Sequence, residues 1–181
     1  MIRAFIALSL PESLRSQLAV TQYLLPGGRP VAPECFHVTL AFLGEQPEDR
    51  LADVDAALAL ISVPAFTLEL GGLGVFGGDK PRSVHAALAP EPLLERLQAK
   101  VVRAVAGCGV RLAHRRFTPH VTLRRYAPGE GSAVELARAI GAIAPSLPLP
   151  RFAVDHFSLV RSRLRPQGPA YDELVRYPLR G

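Results

Sequence analysis

The chain has only two cysteines in 181 residues, Cys35 and Cys108, and no C-x-x-C pair. A disulfide framework is therefore not indicated, and both cysteines read as core fillers. No apolar run approaches the roughly 20 residues that a membrane helix needs. The apolar N-terminus MIRAFIALSLPE is too short for a secretory signal and lacks a small-residue cleavage pattern. A cytoplasmic protein with no membrane partner is the expectation. There is no H-x-x-x-H pair, no Walker motif and no nucleophile elbow around Ser158 or Ser162. These absences argue against a zinc site, P-loop use of ATP and a serine hydrolase. Gly72 to Gly77 spells G-x-G-x-x-G, but Gly78-Asp79-Lys80-Pro81 follows as a turn. A dinucleotide site needs a helix to open there.

What is present is an ordinary globular composition, 49% hydrophobic and 20% charged. The length suits one compact domain or two small lobes sharing a core. The net charge is +5, and the excess is uneven: Arg111, Arg115, Arg116, Arg124 and Arg125 crowd one stretch, Arg161, Arg163 and Arg165 another. Guanidinium groups suit phosphate geometry, so a nucleic-acid partner fits, as does a solvated arginine-rich surface.

Periodicity predicts strands at Ile2–Leu8, Phe36–Leu43, Ala65–Phe76, Ser83–Ala89, Phe117–Tyr126, Phe152–Leu164 and Tyr171–Leu179. It predicts helices from Pro11 to Gly27, with Ser9 as a cap, from Pro47 through Ile61, over Pro92–Ala106 and over Ser132–Ile143. Pro145–Pro150 reads as a connector within one domain. The alternation predicts an α+β fold: a bilobal, duplicated αβ unit, its two mostly antiparallel sheets facing a central cleft. A single bilobal domain over residues 1–181 is expected.

The duplication shows in one tetrapeptide. His37-Val38-Thr39-Leu40 recurs as His120-Val121-Thr122-Leu123. With 5 histidines and 5 threonines in the chain, random placement would yield only about 0.14 copies of H-x-T. On a strand, residues i and i+2 share a face, so each histidine projects with its threonine while Val and Leu pack behind. Two such strands can aim two imidazoles and two hydroxyls into one cleft. One imidazole then takes a proton and the other gives one, while the hydroxyls donate to phosphate oxygens. No acidic cluster accompanies either motif, and His85, His114 and His156 sit in unrelated contexts, so neither metal nor cofactor is expected.

On these residues the chain resembles the two-histidine (2H) phosphoesterases, specifically the RNA 2′,3′-cyclic phosphodiesterase family once called 2′-5′ RNA ligase. The resemblance runs through Arg3–Ala7, Pro33–Gly44, Leu73–Phe76, Phe117–Leu123 and the Gly168-Pro169-Ala170-Tyr171 turn. It implies hydrolysis of RNA 2′,3′-cyclic phosphate ends to 2′-phosphomonoesters, with reverse 2′-5′ ligation. It implies that His37 is the proton donor and His120 the proton acceptor, and that Thr39 and Thr122 hold phosphate oxygens. Phe42 would stack on the terminal base, and Arg125 would pair with the phosphate. RNA with cyclic phosphate ends, such as tRNA fragments, is the implied partner, and a monomer is expected.

Phe42 and Arg125 each lie five residues after their histidine. Strict alternation puts an odd step on the opposite face, unless a bulge or the strand end re-aims it. Phe42 therefore also reads as core, and Arg124 as the substitute phosphate ligand. Alternation sets His85 opposite Val84, Ala86 and Leu88, toward the cleft as a substrate contact or toward solvent. Gly77–Lys80 replaces the more Pro- and Arg-rich loop of the family. Two further functions compete: a phosphodiesterase of small cyclic nucleotides, 2′-5′ oligonucleotides or ADP-ribose cyclic phosphate, and a non-catalytic RNA-binding module. Paired imidazoles disfavour the last, because binding alone does not need them.

Overall fold

The run Ala4–Leu8 is apolar at every position and almost wholly buried, so strand β1 (Ile2–Ser9) needs partners on both edges. It has them: β1 pairs with β3 (His37–Gln46) on one side and β8 (His156–Arg165) on the other. The computed structural model describes residues 1–113, 116–147, 149–166 and 168–180. Around β1 the chain continues through α1 (Glu12–Tyr23), β2 (Arg29–Pro30), α2 (Glu48–Leu58), β4 (Phe66–Phe76), β5 (Ser83–Leu88) and α3 (Pro92–Gly107). It then forms β6 (His120–Arg125), α4 (Ala133–Ile143), β7 (Arg151–Val154) and, after β8, β9 (Gly168–Pro178).

The strand order is β7-β4-β5-β6-β3-β1-β8-β9, with β2 added to β6, and each pairing is antiparallel. Two four-stranded arms thus meet where β6 touches β3, through the single pair Val38–Val121. The two expected sheets are these arms, but they are not the two halves of the chain. The last strands, β8 and β9, join the first arm, because β8 takes the free edge of β1.

The helices offer apolar stripes at helical spacing. Leu14, Leu18, Thr21 and Gln22 are buried on α1, Leu51, Val54 and Leu58 on α2, and Leu94, Leu97, Val101 and Val105 on α3. Helix α1 touches β6 and α3 touches β3, so each motif strand is backed by a helix. Val38 and Val121 have no exposed surface.

Four local expectations need correction. Ser9 does not cap α1: Pro11 occupies the cap, and the Ser9 hydroxyl lies 3.0 Å from His156 Nε2 instead. Ile61 lies past the end of α2, packed against the core from the following loop. The strand expected from Phe117 starts at His120. Phe152–Leu164 is two strands, not one, because the chain breaks at Asp155 and changes partner: β7 pairs with β4, and β8 with β1 and β9. The hairpin after Phe76 is a tight turn, with Arg82 N donating to Phe76 O at 2.7 Å. Gly77 has φ +108, and a Cβ there would lie 2.2 Å from Lys80 O. No helix opens there, so the G-x-G-x-x-G letters spell a strand end.

Candidate active site

Val38 faces Val121 in an antiparallel pair. By that register His37 lies across from Thr122, and Thr39 across from His120. The two histidines are then diagonal neighbours, with a spacing of about 7–8 Å typical of such positions. A local two-fold axis through the valine pair relates the motifs, and both hydroxyls fall between the imidazoles.

The odd five-residue step is resolved by a bulge in each motif strand. Against β1 the register passes from Thr39–Ala7 to Ala41–Ile6, leaving Leu40 unpaired. Against β5 it passes from Thr122–His85 to Arg124–Val84, leaving Leu123 unpaired. Both bulges fall three residues after the histidine and invert the alternation beyond it. Phe42 and Arg125 therefore line the same cleft as His37, Thr39, His120 and Thr122. Phe42 is 48% exposed, so it is not core, and the Arg3 guanidinium sits 4.8 Å from its ring centroid.

Arg124 is engaged elsewhere. It donates to Gln22 O at 3.1 Å, Gly27 O at 2.5 Å and Gly28 O at 3.2 Å, tying the end of α1 and the following loop to β6. Of the two adjacent arginines, Arg125 is the one facing the cleft. Arg115 and His114 lie outside the described residues.

Each imidazole is oriented by the backbone two residues before it. His37 Nδ1 donates to Cys35 O at 2.7 Å, and His120 Nδ1 donates to Thr118 O at 2.7 Å. A carbonyl only accepts, so Nδ1 carries the hydrogen and Nε2 is the nitrogen left to meet a substrate. Burial holds both rings below the ordinary histidine value, partly opposed by these carbonyl bonds, and the nearby Arg125 charge adds to the lowering.

The surroundings differ where the motifs are alike. Phe5 and Tyr171 pack on His37, with ring centroids 4.8 and 5.2 Å away. Phe76 and His85 pack on His120 at 4.8 and 5.2 Å. His85 is neither in solvent nor in the cleft lining, contrary to both expectations. It is 6% exposed and stacked on Phe76 at 4.0 Å, with Gly74 leaving room for its ring. Neither histidine pattern nor alternation could show this, because it depends on β4 folding back over β5. The packing role of Phe5 and Tyr171 was equally hidden, since β9 reaches His37 only through the curl of the first arm.

The cleft is a groove of about 1640 Å³ running from Phe42 past both motifs to Lys80, Arg82 and Arg116. A second cavity of about 340 Å³ shares His37, Thr122 and Arg125 with it and is otherwise lined from β2, the segment after it and β9. Among the described residues no three His, Cys, Asp or Glu side chains gather as metal ligands, and no helix is long and apolar enough to cross a membrane.

A sheet of this order with paired H-x-T strands across one cleft defines a two-histidine phosphoesterase architecture. Residues 11–165 match the family model of the 2'-5' RNA ligase superfamily, and the chain belongs to that family. It is 36% identical to the RNA 2',3'-cyclic phosphodiesterase of Thermus thermophilus, over 99% of this chain and 91% of that protein. It is 30% identical to the Escherichia coli RNA 2',3'-cyclic phosphodiesterase, over 98% and 96% of the two chains. The crystal structure of E. coli LigT complexed with 3'-AMP superposes with a TM-score of 0.83 at 30% identity, covering 98% of each chain.

Proposed function

We propose that this protein is a metal-independent RNA 2′,3′-cyclic phosphodiesterase, cytoplasmic and monomeric, acting as one bilobal domain on RNA ends such as those of tRNA fragments. The observation that supports the reading is the antiparallel register of the two motif strands, whose carbonyl-anchored imidazoles and threonines line one cleft.

The cyclic phosphate sits between the motifs, with Thr39 and Thr122 donating to its non-bridging oxygens and Arg125 balancing its charge. His120 Nε2 takes a proton from water as the oxygen attacks phosphorus. The P–O3′ bond breaks, and His37 Nε2 gives its proton to the departing O3′, leaving a 2′-phosphomonoester. His37 ends neutral and His120 protonated, and exchange with solvent resets both. In the free protein burial favours neutral rings. A bound phosphate anion works against burial and Arg125, raising His37 into its proton-carrying form. With a 5′-hydroxyl in place of water the same steps form a 2′-5′ bond. Phe42, half exposed at the groove wall, offers a stacking face to the terminal base.

Protein treated with EDTA should convert an RNA oligonucleotide ending in 2′,3′-cyclic phosphate to a 2′-phosphate end at an undiminished rate. A 3′-phosphate product would reverse the placement of acid and base, and loss of activity restored by zinc would sink the metal-free mechanism. The two arginines should separate. Arg125→Ala should lower kcat/KM by about tenfold or more, the weight of one charge-assisted phosphate contact, with an unchanged urea midpoint. Arg124→Ala should lower stability by about 1–3 kcal/mol, because three carbonyls lose a charged donor. Equal effects of both variants on the midpoint would contradict this division.

A further inference from the structure

The smaller cavity adjoins the groove. It shares His37, Thr122 and Arg125 with the groove. Its far wall comes from β2, the segment after it and the start of β9, Gly168–Tyr171. Arg29 stands at its edge, the register partner of Arg125 across β2 and β6. Neighbouring strands lie about 4.8 Å apart, so two guanidinium groups flank the cavity within reach of adjacent phosphates. Arg29 is exposed, and no carboxylate among the described residues pairs with it.

The arrangement is built rather than incidental. Gln22, 7% exposed, donates through Nε2 to Val31 O at 2.7 Å and Leu123 O at 2.6 Å, fixing the cavity floor to β6. Arg124 holds the loop that leads into β2. Gly168 has φ +129, and a Cβ there would come within 3.1 Å of Arg29 Nη2. Glycine at 168 thus leaves that space to the guanidinium. Cys35 Sγ donates to Pro169 O at 3.4 Å, joining the start of β9 to the segment after β2 at the cavity wall.

We infer that this cavity receives the nucleotide preceding the cyclic end, with Arg29 pairing with the phosphodiester that joins it to the terminal nucleotide. The inference rests on the phosphodiesterase reading above and deepens it. The terminal base lies in the groove at Phe42, the cyclic phosphate lies at the junction, and the chain leaves on the opposite side. The cavity volume, about 340 Å³, falls in the range of sites for groups of nucleoside size. Arg29 then separates RNA ends from mononucleoside cyclic phosphates, because only an RNA end has that second phosphate.

The test compares a dinucleotide 2′,3′-cyclic phosphate with a mononucleoside 2′,3′-cyclic phosphate, using the unaltered protein and Arg29→Ala. The preference for the dinucleotide, as a ratio of kcat/KM values, should fall about tenfold in the variant. The slope of log KM against log salt for the dinucleotide should drop by nearly one unit. An unchanged ratio would overturn the inference, whether both substrates lose equally or neither does. Turnover of neither substrate by the unaltered protein would overturn the phosphodiesterase reading itself. Turnover of the mononucleoside also certifies that the variant is folded.

Discussion

His37→Ala and His120→Ala should each lower kcat on a cyclic phosphate RNA end by two to four orders of magnitude. General acid–base catalysis by a positioned side chain contributes about 10²–10⁴-fold. Neither ring is needed for the fold. Each has one backbone hydrogen bond and is partly exposed. The apolar anchors of the motif strands are Val38, Leu40, Val121 and Leu123 on the other face, none more than 3% exposed. Loss of rate should therefore come with a urea midpoint close to that of the parent. The double variant should be little slower than the slower single variant, because removing either partner breaks the same proton circuit. Retention of more than about a tenth of the parent rate by either single variant would remove that histidine from the acid–base pair.

The repeated H-x-T strands were legible because a period of two fixes which residues share a face, and because the second copy makes chance implausible. Phe42 and Arg125 were not legible from periodicity. Their orientation depends on bulges at Leu40 and Leu123, and a bulge is a property of two paired strands. Only the resemblance to known phosphoesterases pointed to them. Arg124 illustrates the reverse error, since its even step from His120 suggests the cleft while its guanidinium caps carbonyls of the loop before β2. The break at Asp155 was hidden for a related reason. Phe152, Val154, Phe157 and Leu159 are all core residues, so the apolar pattern runs on while the strand partner changes. Arg29 had no sequence signal, because a two-residue strand leaves no period.

His85 should make the protein acid-sensitive in a range where few other groups titrate. Its ring is 6% exposed, and its Nδ1 is buried with no hydrogen-bond partner among the described residues. Among the described residues no carboxylate pairs with it to compensate a positive charge. Burial and the neighbouring His120 bring its pKa from 6.5 to about 4. Between those values the unfolded chain binds a proton that the folded protein does not, so stability rises with pH and is lost as pH falls from 6.5 toward 4. The loss is about 1.4 kcal/mol per pH unit in that window, hence about 2 kcal/mol between pH 7 and pH 5. His37 and His120, lowered by the same cause, act in the same direction. The carboxylates with lowered values, Asp155, Asp172 and Glu173, start from 3.8 or 4.5, so the stability they add is lost mainly at the acid end of this range and below it, whereas the pH 7 to pH 5 comparison lies above it. His85→Phe keeps a ring stacked on Phe76 and removes the titrating group. Urea unfolding at pH 7 and pH 5 should show a shallower acid loss in the variant, by about 2 kcal/mol. Equal losses in the two proteins would mean that His85 accepts its proton in the folded state, and that the contact with His120 opens to water.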